Sequence, residues 1–370
     1  MKGKENVLRY QTNDDRTETA YVTAEGGNAQ GNASVNGRSR ADQADAGCRP
    51  DGHGAAEGTL GQPVRLSGVG LHSGAPVELA ILPALEGHGI VFRRTDLDRD
   101  NDIPAHYDTV ADTTLCTVVA NQSGASVGTV EHLMSALAVF GIDNALIEVS
   151  GPEVPVMDGS AIVYAEAFAK VGRVELSARR KAIKILKPVI VEEGNKRAAL
   201  LPHSVSDTEA PGLTLDFEIE FDNRVIGHER FTADIWREEF ANDVLQARTF
   251  GLLKDVEAMW QMGLAKGGNL ENCVVVDADA VMNPDGLRFD DEFVRHKMLD
   301  AVGDLALAGA PLIGRYEGVR SGHAMNNKLL HALFAAPDAW TYVDALPQSL
   351  PDPDGCDLAV SVTPLALSAD

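Results

Sequence analysis

The sequence predicts an α+β protein of two similar domains, each of which layers small β-sheets against helices. The chain of 370 residues is longer than a single domain, because domains usually contain about 100–200 residues. Hydrophobic residues make up 44% and charged residues 24%, a balance typical of globular proteins. Each half of the chain also shows the order strands, helix, strand, helix, which indicates a duplicated unit without strong internal identity.

The first half, residues 58–176, is predicted to form one domain. Short apolar or alternating runs indicate strands at residues 64–66, 77–81, 89–92 and 118–119. A helix follows from Thr129 with its apolar side chains on one face at helical spacing, and Gly141 ends it in the left-handed cap position. A strand at 144–149 and a second helix through Val171 complete the domain.

The second half, residues 177–345, restarts the pattern after a basic stretch at 177–181, which we interpret as an interdomain linker. Strands are indicated at residues 183–191, 197–201 and 213–221. An inserted segment, residues 251–285, is predicted to contain a helix at 252–262 and a strand at 273–277. The second half therefore repeats the α+β order with one insertion.

Both ends of the chain lack the composition of a folded core. Residues 1–57 contain eight glycines and only four large aliphatic side chains after Met1. Such a stretch cannot bury enough apolar surface to offset its ordering entropy, so we expect a flexible arm. Residues 346–370 carry prolines and an aspartate-rich turn, and we expect a loose tail there.

Charge and composition exclude several classes of protein. A formal net charge of −23 repels polyphosphate backbones, which excludes general nucleic-acid binding. Four widely spaced cysteines without a CxxC pair argue against a disulfide framework and favour a reducing compartment. The longest apolar stretch, residues 133–142, is shorter than the roughly 20 residues of a bilayer span. With no apolar segment behind the charged N-terminus, we expect a cytoplasmic protein without an integral membrane segment.

The strongest local signal is the block at residues 293–305, in which His296 and Asp300 are four positions apart. On a helix these side chains project from one face, and their nitrogen and oxygen can ligate one Zn²⁺ at about 2.0–2.2 Å. Asp304 continues the same face one turn further. The alternative is a surface His–Asp pair, which stabilises a helix by only about 0.2–0.5 kcal/mol.

Two further stretches supply acid–base candidates. If Thr129 caps its helix, Glu131 lies in the first turn, where the positive helix end favours the ionised carboxylate of a general base. His132 follows as a candidate third ligand. His323 follows a glycine in a loop, a setting that suits proton transfer. In isolation the first stretch also fits a helix cap whose Glu and His simply face water, and the second also fits a structural turn.

The three signals gain meaning together. Two histidines and one aspartate leave one position for water, which is the pattern of a catalytic rather than a structural zinc site. The additional glutamate and histidine supply the base and the acid that metal-assisted hydrolysis needs.

Six blocks of the sequence occur in the order found in one enzyme family: SGVGLHSG (67–74), TVEHL (129–133), PEVPVMDGS (152–160), ARTFG (247–251), GLRFDDEFVRHKMLD (286–300) and SGH (321–323). In these blocks the chain resembles the UDP-3-O-acyl-N-acetylglucosamine deacetylases, zinc amidases that commit Gram-negative bacteria to lipid A synthesis. The resemblance runs from about residue 59 to residue 343. It implies that the active site lies in the cleft between the two domains.

The resemblance also implies the roles of individual residues. One Zn²⁺ per chain would be bound by His132, His296 and Asp300. Glu131 would be the general base, and His323 would stabilise the oxyanion and protonate the leaving amine. Asp304 would hold the tautomer of His323, and Thr249 would donate a hydrogen bond to the oxyanion.

For the acylated UDP-amino-sugar substrate, the resemblance implies two groups of contacts in a monomeric enzyme. The sugar and nucleotide side would be lined by His72, Phe250, Lys297 and Arg320. The acyl passage would be formed by Leu115, Cys116 and Leu252, with the segment 251–285 as its wall. The family usually has lysine where Arg320 stands and often an aromatic residue where Leu252 stands.

Other readings of the same residues remain open. A zinc hydrolase acting on an unrelated amide or ester would use the same groups. A structural zinc protein or a binding module would use the cluster without Glu131. Fe²⁺ suits a set of two histidines and one aspartate as well as Zn²⁺ does by ligand type.

Overall fold

The structure, a computed structural model, describes residues 55–203, 212–236 and 239–345. Small β-sheets pack against helices in it, which confirms the predicted α+β class. The helices of the first half are α1 (Glu131–Val139) and α2 (Ile162–Val171). Its strands are β1 (Ala56–Leu60), β2 (Val64–Val69), β3 (Pro76–Pro83), β4 (Ile90–Arg94), β5 (Asp102–Pro104), β6 (Val110–Asp112), β7 (Val118–Ala120), β8 (Ser126–Val127) and β9 (Ala145–Val149).

The second half contains the longer helices and a larger sheet. Its helices are α3 (Glu239–Asp243), α4 (Leu253–Gln261), α5 (Glu292–Ala306) and α6 (His323–Phe334). Its strands are β10 (Arg173–Arg179), β11 (Lys181–Ile185), β12 (Val189–Glu193), β13 (Lys196–Leu201), β14 (Leu213–Glu220), β15 (His228–Asp234), β16 (Phe250–Leu252), β17 (Val274–Val276), β18 (Leu312–Val319) and β19 (Trp340–Asp344). Strands β16 and β17 are parallel and flank α4, so the inserted segment is a small strand–helix–strand unit.

The sheets follow from the alternation of apolar residues. In the first half, one sheet has the order β2–β3–β9–β4–β5 and another the order β6–β7–β8. In the second half, the main sheet has the order β12–β13–β18–β11–β19, with β14 beside β18 and β15 beside β14. Burial alternates residue by residue along β18, because successive side chains of a strand point to opposite faces.

The two halves meet where α1 packs against α5. Both helices are buried along most of their length, so each is enclosed by core rather than by solvent. Gly303 of α5 makes this contact possible, because a Cβ atom there would lie 1.9 Å from the carbonyl oxygen of Glu131. The absence of a side chain therefore lets the backbones approach and places the first turn of α1 beside α5.

We expect Gly303→Ala to destabilise the protein by about 1–3 kcal/mol, because the added methyl group overlaps a main-chain atom that cannot turn away. Denaturant unfolding measures the loss. Gly151→Ala is the matched control, since its added Cβ meets nothing nearer than 3.9 Å. Equal stabilities for the two variants would show that the helices are free to separate.

Two details of the secondary structure differ from the sequence-based assignment. Within the stretch interpreted as a linker, residues 177–179 belong to β10 and Lys181 begins β11; β10 pairs with β1, which begins at Ala56 within the expected arm. The polar composition misled because this ribbon is held by main-chain hydrogen bonds rather than by apolar burial. The run at 183–191 is two strands, since Pro188 lacks the N–H that would continue the ladder.

Several expectations are not tested by this structure. Residues 1–54 of the arm and the tail at 346–370 lie outside the described residues. The domain boundary at residue 177 and the cytoplasmic location remain predictions. Within the described ranges, every helix is either too short or too polar to cross a membrane.

Candidate metal centre

Three helices bring the candidate residues together. Glu131 and His132 begin α1, and His296 and Asp300 lie one turn apart on α5. His323 begins α6, so its expected position in a loop is wrong: Gly322 ends the loop and His323 is the first helical residue. A buried ion pair helps to fix the start of α5, because Arg248 Nε donates to Glu292 Oε1 at 2.9 Å. This pair fastens the segment 247–250 to the first turn of that helix.

The side chains of His132, His296 and Asp300 form a compact cluster whose potential ligand atoms all lie within 4.8 Å of one another. Asp300 Oδ1 is 3.6 Å from His132 Nε2 and 3.4 Å from His296 Nε2. Ligands of a tetrahedral zinc ion bound at 2.0–2.1 Å are separated by about 3.3 Å. Both distances from Asp300 are therefore close to an edge of a tetrahedral zinc site.

The surroundings of this cluster hold its donor atoms in the form that a metal requires. His296 Nδ1 is 3.0 Å from the carbonyl oxygen of Ala247, which leaves Nε2 as the unprotonated nitrogen. Burial lowers the pKa of His296 to about 4, so the ring is neutral at pH 7. Although burial opposes it, His296 and Lys297 hold the pKa of Asp300 well below its usual range. Lys297 Nζ donates to Asp300 Oδ2 at 2.7 Å.

Glu131 lies beside the cluster, with a carboxylate oxygen within 4.8 Å of potential ligand atoms of Asp300 and His323. Its Oε2 atom accepts a hydrogen bond from the backbone N–H of Thr117 at 3.0 Å, and its Oε1 atom is 3.8 Å from His323 Nε2. Burial raises the pKa of Glu131, while the imidazoles of His323 and His132 oppose the shift. A buried carboxylate of raised pKa is suited to accept a proton from water.

His323 is oriented from behind by Asp304. Its Nδ1 atom is 2.9 Å from Asp304 Oδ2, so Nε2 faces Glu131. Although burial opposes the charge, the carboxylates of Asp304 and Glu131 raise the pKa of His323 to about 9. Asp304 is itself held by Thr117 Oγ1 at 2.5 Å and by Asn326 Nδ2 at 2.8 Å. At pH 7 His323 is thus a proton donor, and its Nε2 atom faces the carboxyl group of Glu131.

The expected helix cap at Thr129 is wrong. Its backbone has a positive φ of 57°, and α1 begins at Glu131 after Val130. The hydroxyl of Thr129 donates instead to Glu153 Oε1 at 3.0 Å. A local capping preference has lost to a longer-range hydrogen bond, although Glu131 still occupies the first turn.

The residues expected on the sugar and nucleotide side lie at different distances from the cluster. The ring of Phe250 is 6.1 Å from that of His296, edge to face. Both ring nitrogens of His72 are buried without a hydrogen-bond partner among the described residues, and burial lowers the pKa of His72. Arg320, at a positive φ of 49°, forms an ion pair with Glu220.

The remaining expected residues lie on surrounding segments. Thr249 is held through its backbone, by Gly159 O at 2.7 Å and by the N–H of Val274 at 2.8 Å. Leu115 is 42% exposed, whereas Cys116 is buried, and burial raises the pKa of that thiol to about 12. Leu252 is half-buried at the start of α4.

Sequence reasoning missed Thr117 and Asn326, which hold the acid–base pair. Thr117 follows Cys116 directly, and Asn326 lies one turn after His323 on α6. The spacing of three positions between His323 and Asn326 is a signal that was available. Nothing local connects Thr117 with Asp304, which is 187 positions away.

Comparisons with known proteins show which family the chain belongs to. The profile of a family described as UDP-3-O-acyl N-acetylglycosamine deacetylase matches residues 57–335. The chain is 48% identical to the UDP-3-O-acyl-N-acetylglucosamine deacetylase of Phenylobacterium zucineum over 76% of this chain and 94% of that protein. Proteins of the same name from Myxococcus xanthus and Pasteurella multocida are 48% and 45% identical, over 78% and 77% of this chain and 89% and 92% of theirs.

Proposed function

Because the chain belongs to the UDP-3-O-acyl N-acetylglycosamine deacetylase family, we propose that His132, His296 and Asp300 bind one Zn²⁺ for its reaction. The enzyme removes the N-acetyl group from UDP-3-O-acyl-N-acetylglucosamine and releases acetate and UDP-3-O-acyl-glucosamine. This is the committed step of lipid A biosynthesis. The observation that carries the proposal is the close approach of three buried donor side chains beside the facing side chains of Glu131 and His323.

The donor set fits zinc better than it fits a hard cation. Two neutral imidazoles and one carboxylate suit Zn²⁺ or Fe²⁺, whereas Mg²⁺ and Ca²⁺ prefer oxygen ligands. Three protein donors are also the usual number at a catalytic zinc, while structural sites use four. When bound, Zn²⁺ would polarise the acetyl carbonyl and lower the pKa of an adjacent water molecule.

The residues around the cluster then divide the proton transfers between them. Glu131 accepts a proton from the attacking water, because its carboxylate lies beside the three donor residues without being one of them. His323 donates a proton from Nε2 to the departing sugar nitrogen, and Asp304 keeps Nδ1 protonated throughout. Thr249 donates a hydrogen bond to the oxyanion, and loss of one such donor costs about 3–4 kcal/mol.

The inserted segment supplies apolar surface for the acyl chain. Trp260 is 40% exposed and Met262 is 68% exposed at the end of α4, and Leu115 is exposed as well. Large apolar side chains that remain in water offer a surface for an apolar ligand. We therefore place the acyl passage along Leu115, Cys116 and Leu252, with residues 251–285 as its wall.

The substrate side of the site is proposed to recognise the sugar and the nucleotide through His72, Phe250, Lys297 and Arg320. Lys297 and Arg320 supply positive charge on a chain whose net charge is −23. A diphosphate would have to exchange with the carboxylates that these two residues now contact, Asp300 and Glu220. Lys297 contacts a proposed zinc ligand, Asp300, whereas the half-buried Arg320 contacts Glu220, which is not one.

The direct test compares substrates and metals on the purified full-length chain. We expect acetate release from the acylated nucleotide sugar to exceed release from UDP-N-acetylglucosamine by more than about 10²-fold in kcat/KM. Burial of four methylene groups at about 0.8 kcal/mol each corresponds to that factor. We also expect about one zinc ion per chain and loss of activity on chelation, restored by Zn²⁺.

Each competing reading predicts a different outcome. Equal rates on the two substrates would favour hydrolysis of an unrelated amide. Activity that survives exhaustive chelation would overturn the metal proposal. Metal analysis that finds iron rather than zinc would reassign the ion but keep its ligands.

The dependence of kcat on pH is expected to be bell-shaped. Glu131 acts when deprotonated, and its raised pKa places the acidic limb above the usual value of 4.5. His323 acts when protonated, so the active form is present below its pKa of about 9 and is lost as pH rises through that value. Asp304→Asn removes a charge that raises this pKa, and the basic limb should therefore move to lower pH. A rate that stays constant to pH 10 would exclude His323 as the acid.

A further inference from the structure

Glu153 is a buried carboxylate, 5% exposed, that joins two segments of the candidate site. Its Oε1 atom accepts hydrogen bonds from the backbone N–H of His72 at 2.8 Å and from the hydroxyl of Thr129 at 3.0 Å. Its Oε2 atom accepts from the backbone N–H of Ser73 at 3.0 Å and from the hydroxyl of Ser73 at 2.9 Å. Four neutral donors therefore satisfy one carboxylate.

The first of the two segments bound by Glu153 contains Thr129 and leads into α1. Thr129 has a positive φ of 57°, which is unfavourable for a β-branched residue and persists only where its surroundings enforce it. The residues on either side of Glu153 hold this conformation through backbone hydrogen bonds to Gly128, which precedes Thr129. Gly128 N donates to Pro152 O at 2.9 Å, and Val154 N donates to Gly128 O at 3.0 Å. The turn at Thr129 sets the direction in which Glu131 and His132 leave the loop.

The second segment is the tight turn that carries His72. Glu153 accepts hydrogen bonds from the backbone N–H groups of two successive residues of this turn, His72 and Ser73. Gly70 allows this approach, because a Cβ atom there would lie 2.4 Å from Glu153 Oε2. One carboxylate thus holds the turn proposed to face the substrate and the turn that begins the helix of the general base.

We propose that Glu153 is a positioning residue that acts through two separate sets of hydrogen bonds. The bond to Thr129 holds Glu131 and His132 in place, and its loss affects kcat and the affinity for zinc. The bonds to the turn at His72 and Ser73 hold the substrate side, and their loss affects KM. The effect on kcat and KM rests on the proposed deacetylation, whereas the effect on zinc affinity does not.

Variants at Thr129 separate the hydroxyl from the backbone strain. Thr129→Ser keeps the hydroxyl bond to Glu153, and kcat should stay within about threefold of wild type. Thr129→Val keeps the shape and the strain but loses the bond, so kcat should fall by about 10-fold to 10²-fold, as a misplaced catalytic group does. Thr129→Gly also loses the bond, but glycine adopts φ = 57° without strain, so most of the activity should remain.

Glu153→Gln is measured alone and together with Thr129→Gly. The amide has a single acceptor oxygen, so it cannot serve both the donors that now face Oε1 and those that face Oε2. We therefore expect the single variant to lower kcat about tenfold or more and to raise KM. In the glycine background the loss of kcat should shrink, because the turn no longer needs enforcement, while the rise in KM should remain. These different responses of kcat and KM distinguish a positioning role from a general loss of stability. A general loss of stability would change both kcat and KM, with or without Thr129→Gly.

Zinc affinity gives a readout that does not depend on the substrate. Competition with a chelator should show that Thr129→Val and Glu153→Gln bind zinc about 10-fold to 10²-fold more weakly, as is usual when a ligand loses its support, while Thr129→Ser does not. Wild-type activity and zinc affinity in Thr129→Val would overturn the proposal, even if Glu153→Gln fails to fold. Equal losses of kcat for Glu153→Gln in both backgrounds would also overturn it. Absence of deacetylation by the wild type, with these zinc affinities as expected, would reject the proposed function and leave the positioning role standing.

Discussion

Glu131→Gln is expected to lower kcat by about 10²–10⁴-fold, because the amide cannot accept the proton of the attacking water. The zinc content should stay near one ion per chain, since Glu131 is not among the three proposed ligands. The amide oxygen still accepts the hydrogen bond from the N–H of Thr117, so the local structure is kept. Single-turnover assays on the acylated nucleotide sugar, with metal analysis of the same sample, measure both quantities.

The stability of this variant provides its control. Burial raises the pKa of Glu131 above its usual value of 4.5. The folded metal-free chain therefore becomes less stable as pH rises above 4.5 and the buried carboxyl group has to ionise. The neutral amide removes this cost, and the melting temperature of metal-free Glu131→Gln at pH 7 should be no lower than that of wild type. Near-normal turnover in a zinc-loaded, folded variant would show that another group takes the proton.

His323→Ala is expected to lower kcat by about 10²–10⁴-fold, because both the proton donor to the amine and the cation facing the oxyanion are lost. Zinc should again stay near one ion per chain. The remaining activity should no longer fall near pH 9, since the group whose pKa lies there is absent. Rate measurements from pH 6 to pH 10 test the size of the loss and its pH dependence together.

Loss of metal from His323→Ala would place His323 among the ligands and overturn its assignment as the acid. The structure makes this a real alternative to test, because Glu131, Asp300 and His323 also have potential ligand atoms within 4.8 Å of one another. His132→Ala is the matched comparison, and it should lose the metal. The two variants must therefore differ in zinc content, not only in activity.

Much of the candidate site could be predicted from short stretches of the sequence. His296, Asp300 and Asp304 share a face because a helix repeats every 3.6 residues, and the structure places all three on α5. Glu131 was expected in a first helical turn and is found there. Their roles stay predictions, but their proximity follows from helical geometry once the helices are recognised.

Two of the differences share one physical cause. Thr129 was expected to cap α1 because its residue type favours that role, but a hydrogen bond to Glu153, 24 positions away, holds it in another conformation. Residues 177–181 were interpreted as a linker because they are polar, but residues 177–179 lie in β10, which pairs with β1. In both places a partner distant in sequence outweighed a local preference.

The sequence by itself indicated the fold class, the helices that carry Glu131, His132, His296 and Asp300, and the residue types proposed as acid, base and metal ligands. It could do so because periodicity and chemistry are properties of neighbouring residues. Only the tertiary structure decided that α1 and α5 approach closely at Gly303, that Thr117 joins Glu131 to Asp304, and that His323 Nε2 faces the base. These facts depend on how distant segments pack, and packing is set by the shape of the whole core.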